Sequence, residues 1–342
     1  MSPQISVIVT NFNGKKFLKD CFASILKEKS PSYEIIFIDD CSTDGSFEYA
    51  KKNFGKNNKF RFFQTQKNVG TSKVFNLALK KSKGRYLFYL NNDTILKAGW
   101  TTEIKKGFEK YPRAAVLQGK IYRMGTHNYD YAGDFMGPLG FLIERAQGAR
   151  DKGQFDSIDR IFSIKGTCMI VRKSALVRIG GFDEDYKFGL DETDMTWRCW
   201  LMGYETLFYP SITVWHYFGT KRKGEKYYRN AKIYYEGCKN TIATLYKNFE
   251  FKRLVTVLPL NILCWFLLGL AFIIKLDFYR GFSLLKGIGW NLLHIVHQYK
   301  KRSIVQKMRT VSDDNIFSIV GTSRNLYYYF QKGYSYIMGK PF

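Results

Sequence analysis

One pattern constrains this chain more than any other: a short β-branched or aromatic run, a polar cluster and a helical stretch recur in that order along its N-terminal third. Residues 5–10, ISVIVT, break at Asn11-Phe12-Asn13-Gly14, after which Phe17, Leu18, Phe22, Ile25 and Leu26 follow helical spacing. Residues 33–38 close on Asp39-Asp40 and the turn-rich CSTDGS, with a helix predicted at 47–54. Residues 60–65 lead through Asn68-Val69-Gly70 into a predicted helix at 71–81, and residues 86–90 end abruptly in Asn91, Asn92 and Asp93. Strands and helices alternating through short loops imply an α/β fold around a mostly parallel central sheet. Parallel strands present their carboxyl ends on one edge. Thr10 and Asn11, then Asp39 and Asp40, then Asn91 to Asp93 are therefore expected to converge on a ligand crevice.

A carboxylate beside two amides at a strand end suits a hard divalent cation, which takes oxygen ligands and shares them with a substrate phosphate. The plainer alternative for the same residues is an Asn-rich turn. No Gly-rich dinucleotide or P-loop signature follows any strand, so phosphate has to be held otherwise. Farther along, a helix at 100–110 and a strand at 114–122 precede residues 125–153, a Gly- and aromatic-rich stretch of little periodicity that reads as a lid or binding wall. A strand at 166–172 and a short helix at 174–180 lead to Asp191-Glu192-Thr193-Asp194, directly before Trp197 and Trp200 on a predicted helix. Those acids suit either a catalytic site or helix capping. A strand at 206–215, interrupted by Pro210, closes on His216, which by itself reads equally as a packed surface histidine.

The 54 Lys and Arg against 29 Asp and Glu give a net charge of +25, which implies an anionic partner such as nucleic acid, a phosphorylated ligand or lipid headgroups. The six cysteines show no paired spacing, which favours reduced thiols in the cytosol, and the N-terminus reads directly into a strand with no secretory signal. After residue 220 the chain turns basic, aromatic and helical. Residues 254–274 carry no charge and are as long as the roughly 20 residues that a bilayer-spanning helix needs. Residues 282–299 read as an amphipathic helix suited to an interface. Basic residues flank both, which places both ends on the cytoplasmic face of a membrane and favours a re-entrant or monotopic anchor, or a two-helix hairpin, over a single pass; the alternative is a buried helical subdomain of a soluble enzyme. If the anchor reading holds, cutting the chain after Gly219 is expected to release a soluble catalytic part.

Taken in order, ISVIVTNFNG, IIFIDDCSTDGS, NVGTSKVFN, GRYLFYLNNDT, KGTCMIVRKSALVRIGGFDEDY, DETDMTWR and VWHYFGT resemble the family 2 glycosyltransferases, inverting enzymes of GT-A-type fold, and especially their rhamnosyltransferase-like bacterial and archaeal members. The resemblance implies a glycosyltransferase domain over residues 1–220 and a helical, membrane-associated region over 221–342 with anchoring helices at 254–274 and 282–299. It also implies a UDP-, GDP- or dTDP-sugar donor, a Mn or Mg ion, and a glycan or lipid-linked acceptor at an anionic membrane surface, with no nucleic acid expected. By resemblance, Thr10 and Asp39 meet the base and ribose, with Asn11, Asn13 and Asp40 beside the same nucleoside, while Asn68, Gly70 and Asn76 border the nucleotide pocket. Asp93 takes the last place of the family's Asp-x-Asp motif, Asn91 and Asn92 stand where acids often precede it, and His216 matches a histidine that approaches the metal or diphosphate. The catalytic pair falls on Asp191-Glu192, in reversed order, with Glu192 at the base position.

Two other classes remain open from the sequence. A catalytically silent relative acting as a membrane scaffold would explain the Asn91-Asn92 and Asp191-Glu192 departures. A nucleic-acid-binding protein would use the positive charge and aromatic rings, although the carboxylates concentrate where its groove would lie.

Overall fold

The computed structural model describes residues 3–30, 32–217 and 231–322. Three strand–helix units open the chain: β1 (Ile5–Asn11) and α1 (Lys15–Leu26), β2 (Tyr33–Asp39) and α2 (Ser46–Phe54), β3 (Phe60–Gln64) and α3 (Thr71–Lys81). β4 (Tyr86–Asn91), the short β5 (Thr94–Leu96), α4 (Trp100–Lys110) and β6 (Ala114–Arg123) follow. The strands are apolar at successive positions because both sheet faces are covered. Val7, Val9, Ile35 and Phe37 pack on one face with α1, α2 and α4, while Ile8, Ile36 and Ile38 pack on the other with α3.

Next come β7 (Tyr129–Tyr131), β8 (Asp134–Met136), β9 (Leu142–Glu144), β10 (Asp159–Arg160), β11 (Cys168–Arg172), α5 (Lys173–Arg178), α6 (Asp191–Leu201) and β12 (Glu205–His216). The sheet is mixed rather than mostly parallel. Its path is β10-β12-β6-β11-β4-β1-β2-β3, and β11 runs antiparallel to both of its neighbours. The reason lies in the preceding segment. β6 finishes at the carboxyl edge and β7 to β9 stay on that side, so β11 has to enter the sheet from that edge and run backwards. The stretch at 125–153, expected to be irregular, thus contains three-residue strands too short to show a period.

The C-terminal helices are α7 (Ala231–Asn248), α8 (Phe251–Thr256), α9 (Leu258–Ile274), α10 (Phe278–Leu293), α11 (Ile295–Met308) and α12 (Asp313–Val320). The apolar run at 254–274 is divided at Val257, and the amphipathic run at 282–299 is divided at His294. Expected helix before Ala231, the final residues of VWHYFGT and the chain beyond Thr322 lie outside the described residues. α7 shares a core with α6: Trp197, Trp200 and Leu201 pack with Cys238, Ile242 and Phe249. Charge joins them as well, since Lys247 bonds Asp183 and lies 2.8 Å from Asp194, whose other oxygen is 2.8 Å from Arg198. A chain cut after Gly219 would lack those partners, which counts against the expectation that it is released intact.

Candidate active site

Strand register builds the first part of the site. Asn91 lies opposite Thr10, Asn11 opposite Asp39, and Asp39 opposite Gln64, which sets four neighbouring strand ends in a row. Asp39 is fully buried; its carboxylate accepts from Asn11 Nδ2 at 2.7 Å, from Ser42 N at 2.8 Å and Oγ at 2.6 Å, and from Gln64 Nε2 at 3.3 Å. Gln64 is exposed and its bond is the longest, so it is the partner a ligand donor would displace most readily. Asn92 donates to Asn11 Oδ1, and a Cβ on Gly14 would sit 1.9 Å from the Asn92 amide nitrogen. Gly14 is what lets those loops meet. Asn13, at φ 52°, accepts from Thr43 N at 2.8 Å and ties the first loop to the second.

Several expected pocket residues are engaged in holding loops. Asp40 accepts from Thr65 Oγ1, Val69 N and Gly70 N at 2.8, 2.9 and 3.0 Å, fixing the turn before α3, with the Asn68 amide 3.5 Å from its carbonyl. Gly70, at φ 90°, faces the Lys187 backbone so closely that a Cβ would lie 2.5 Å from its carbonyl oxygen. Asn76, expected at the pocket border, spends its amide on the 181–184 loop, accepting from Phe182 N and donating to Phe182 O, both at 2.9 Å.

Asp93 lies in the turn between β4 and β5. β5 pairs antiparallel with the end of β12, Thr94 opposite His216, so the imidazole Nε2 comes 3.3 Å from Asp93 Oδ1. Behind it, His216 Nδ1 is 2.8 Å from Oδ2 of the fully buried Asp130, on β7. Burial pushes the imidazole pKa down, but hydrogen bonds and charge from Asp130 and Asp93 outweigh it and raise the value to about 9. Lys165 Nζ stands 3.9 Å from Asp130 and 3.3 Å from Glu144 of β9. Asp130 carries no local sequence signal; only the β6–β7 pairing brings it under His216.

Asp93 and His216 offer one oxygen and one nitrogen, and among the described residues no group of three or more His, Cys, Asp and Glu forms a metal cluster. The pair fits a divalent ion that completes its shell from a diphosphate and water, a common arrangement for Mg, and Asp130 fits the outer carboxylate that orients a ligating histidine.

The third part is the N-terminus of α6. Asp191 is 1% exposed, and neither carboxyl oxygen meets a hydrogen-bond donor among the described residues. Burial, then the adjacent Glu192 charge, holds its pKa well above the ordinary carboxylate range. Glu192 is half-buried and accepts from Gly166 N at 3.0 Å; the next residue, Thr167, accepts from Asn91 Nδ2 at 3.2 Å. The two acids thus occupy different environments, one withdrawn and uncharged by preference, the other at the crevice. Leu190, preceding them, adopts φ 63°, and Asn240 of α7 donates to the carbonyls of Phe188 and Gly189 at 3.1 and 2.8 Å. Nothing in the spacing around Asn240 announces this contact, since it spans 51 residues of chain.

A two-faced α/β sheet with amides and carboxylates along one edge, a carboxylate–histidine pair and an acid at a helix start defines a GT-A-like nucleotide-sugar transferase fold. The chain matches glycosyl transferase family 2 over residues 6–180 and belongs to that family. It is 26% identical over 218 residues to a poly-beta-1,6-N-acetyl-D-glucosamine synthase of Staphylococcus epidermidis, covering 62% of this chain and 49% of that protein, so it spans about half the relative's length. In three dimensions it resembles S. aureus TarS 1-349 in complex with UDP-GlcNAc, at TM-score 0.57 and 17% identity over 100% of this chain and 93% of the other. It also resembles the mannosyltransferase PcManGT from Pyrobaculum calidifontis in complex with GDP-Man and Mn2+, at TM-score 0.55 and 13% identity over 99% and 86%.

Proposed function

We propose that this glycosyltransferase moves a sugar, with inversion, from a nucleotide-diphosphate donor to a hydroxyl of a glycan or lipid-linked acceptor at the cytoplasmic face of the cell membrane. The observation that carries the reading is the separation of roles along one sheet edge: an amide-rich nucleoside end, the Asp93–His216 pair, and the half-buried Glu192. The nucleoside lies over the ends of β1 and β2, its base competing with Gln64 for Asp39. Glu192 takes the proton of the acceptor hydroxyl while that oxygen bonds to the anomeric carbon; the bond to the diphosphate oxygen breaks, and the nucleoside diphosphate leaves with the electron pair. A Mn or Mg ion held by Asp93 and His216 supplies positive charge to the diphosphate when bound. Asp191 is withdrawn beside Glu192, where burial and that neighbour's charge raise its pKa and disfavour its charged form.

Purified full-length protein incubated with UDP-, GDP- and dTDP-sugars should hydrolyse one donor slowly in the presence of Mn or Mg. Binding of a nucleoside diphosphate with no turnover of any donor, with or without acceptor, would instead favour the silent scaffold.

A further inference from the structure

Among the described residues, α8 and α9 taken together, Phe251–Ile274, are long and apolar enough by length and composition to cross a membrane. Its surroundings in the fold argue against crossing. Near the start of α9, Asn261 is fully buried and its amide donates to Leu139 O at 2.8 Å, in the β8–β9 turn, while Trp265 meets Phe141 of the same turn at 5.3 Å. Near the end of α9, Phe272 is fully buried against Tyr234 of α7 at 5.2 Å. α10 returns along α9 so closely that a Cβ on Gly281 would lie 3.0 Å from Gly269 O. It is also tied to α7, where Asn291 donates to Lys239 O at 3.1 Å. Both ends of α9 are thus fastened to the body that carries the active site. Moving one of them across roughly 30 Å of hydrocarbon would break these contacts or draw polar protein into lipid.

Among the described residues, the outer faces of the same helices have no such partners. Leu260, Leu263 and Leu267 on α9 are 49, 49 and 54% exposed, and Ile274, Phe282 and Leu293 are 80, 59 and 85% exposed. Large apolar patches of this kind mark a surface that something covers. Charge identifies the cover. Residues 251–308 carry nine Lys and Arg against the single acid Asp277, which is held by Arg280. Lys252, Lys275, Lys286 and Lys300 are exposed. Apolar side chains rimmed by cations match an anionic lipid surface, with acyl chains meeting the leucines and headgroups meeting the lysines.

We propose that α8 to α11 form a one-sided seat that embeds in a single leaflet of an anionic bilayer without crossing it. This deepens the membrane part of the function proposed above and is independent of the transfer chemistry. The seat adjoins the β8–β9 turn, and the same hairpin carries Glu144, the partner of Lys165 beside Asp130. A lipid-borne acceptor would therefore approach along that hairpin.

The test adds full-length protein from outside to sealed phosphatidylcholine vesicles with and without phosphatidylglycerol. The seat requires flotation with the anionic vesicles that survives concentrated salt and yields to detergent. L263D/L267D, changed at exposed positions only, should lose flotation while keeping donor hydrolysis, which separates failure of the seat from failure of the enzyme. Lys275→Cys, made with Cys41→Ser and Cys264→Ala, reports on topology through a membrane-impermeant maleimide. Labelling from outside equal to that after detergent supports the seat. Protection until detergent is added would mean α9 crosses and would overturn it, as would failure of the unaltered protein to float.

Discussion

His216 Nδ1 lies 2.8 Å from Oδ2 of the fully buried Asp130, while its Nε2 faces Asp93 at 3.3 Å, so one imidazole spans two carboxylates. Once a cation occupies the Asp93 side, the Asp130 bond keeps the proton on Nδ1 and leaves Nε2 free to ligate. Asp130→Asn should weaken Mn binding by about 10- to 100-fold, the range typical of outer carboxylates on metal-bound histidines. Titration followed by electron paramagnetic resonance reads this without relying on activity. Unchanged affinity in a folded variant would reduce Asp130 to a packing residue.

Asp93→Ala should abolish metal-dependent turnover while thermal unfolding stays close to that of the parent. The side chain is only partly buried at a turn, and its contact there is His216, so the core does not depend on it. Full turnover with the usual Mn or Mg response would take Asp93 out of the site.

Glu192→Gln should lower turnover by about 100-fold or more with donor affinity nearly constant, the signature of a lost general base. Asp191→Asn should be milder in turnover, because burial and the Glu192 charge already disfavour the charged form of that carboxyl, so an uncharged amide of the same shape changes less. The reverse ranking would assign the base to Asp191.

Much of this site is legible along the chain, for a physical reason. Strands β1, β2 and β4 read correctly because covering on both faces demands nearly uninterrupted apolar runs, and the polar residues ending them are conspicuous by contrast. Direction is not legible: Cys168–Arg172 has the composition of a buried strand whichever way it runs, so the mixed sheet emerges only from where the 123–167 segment stays. Asp130 and Asn240 reach their partners across 86 and 51 residues, and no spacing rule covers contacts made by tertiary register. Apolar periodicity likewise gives no hint that Val257 and His294 interrupt helices, nor which face of α9 is already occupied by the protein.

The Lys247 ammonium, 3% exposed, should make the fold acid-sensitive. Burial alone would raise the Asp183 carboxyl, but Lys247 and Lys301 outweigh it and hold its pKa well below the ordinary range. A depressed carboxylate contributes stability that is complete above its unfolded pKa of about 3.9 and is lost as pH falls through the lower folded value. Lys247→Met should destabilise the protein at neutral pH by about 3 kcal/mol, the low end for breaking a buried pair, because Lys301 still meets Asp183 and Arg198 still meets Asp194. Urea unfolding across pH should show the difference narrowing below about pH 4, where the unfolded chain takes up the proton while the folded Asp183 still resists it, and vanishing only as pH falls through the lower folded value. A difference independent of pH would mean that packing, not charge, sets the cost.

Ending the chain after Gly219 carries the same reasoning to its limit. Such a truncation removes Lys247 from Asp183 and Asp194, Asn240 from the carbonyls of Phe188 and Gly189, and the apolar cover that Cys238, Ile242 and Phe249 place over Trp197 and Trp200. Each stranded buried group costs on the order of 1–3 kcal/mol, and two large indoles returned to water cost about as much again. Domains have only about 5–15 kcal/mol in hand, so the shortened chain should fail to fold rather than emerge as a soluble catalytic part. It should appear in the insoluble fraction on expression and, after refolding, bind a hydrophobic dye and lack near-ultraviolet circular dichroism. L263D/L267D, which leaves every one of these contacts in place, should by contrast yield a protein that unfolds cooperatively without lipid. A soluble, monodisperse chain ending at Gly219 that unfolds cooperatively and binds a nucleoside diphosphate would show that α6 and its preceding loop hold their shape without α7.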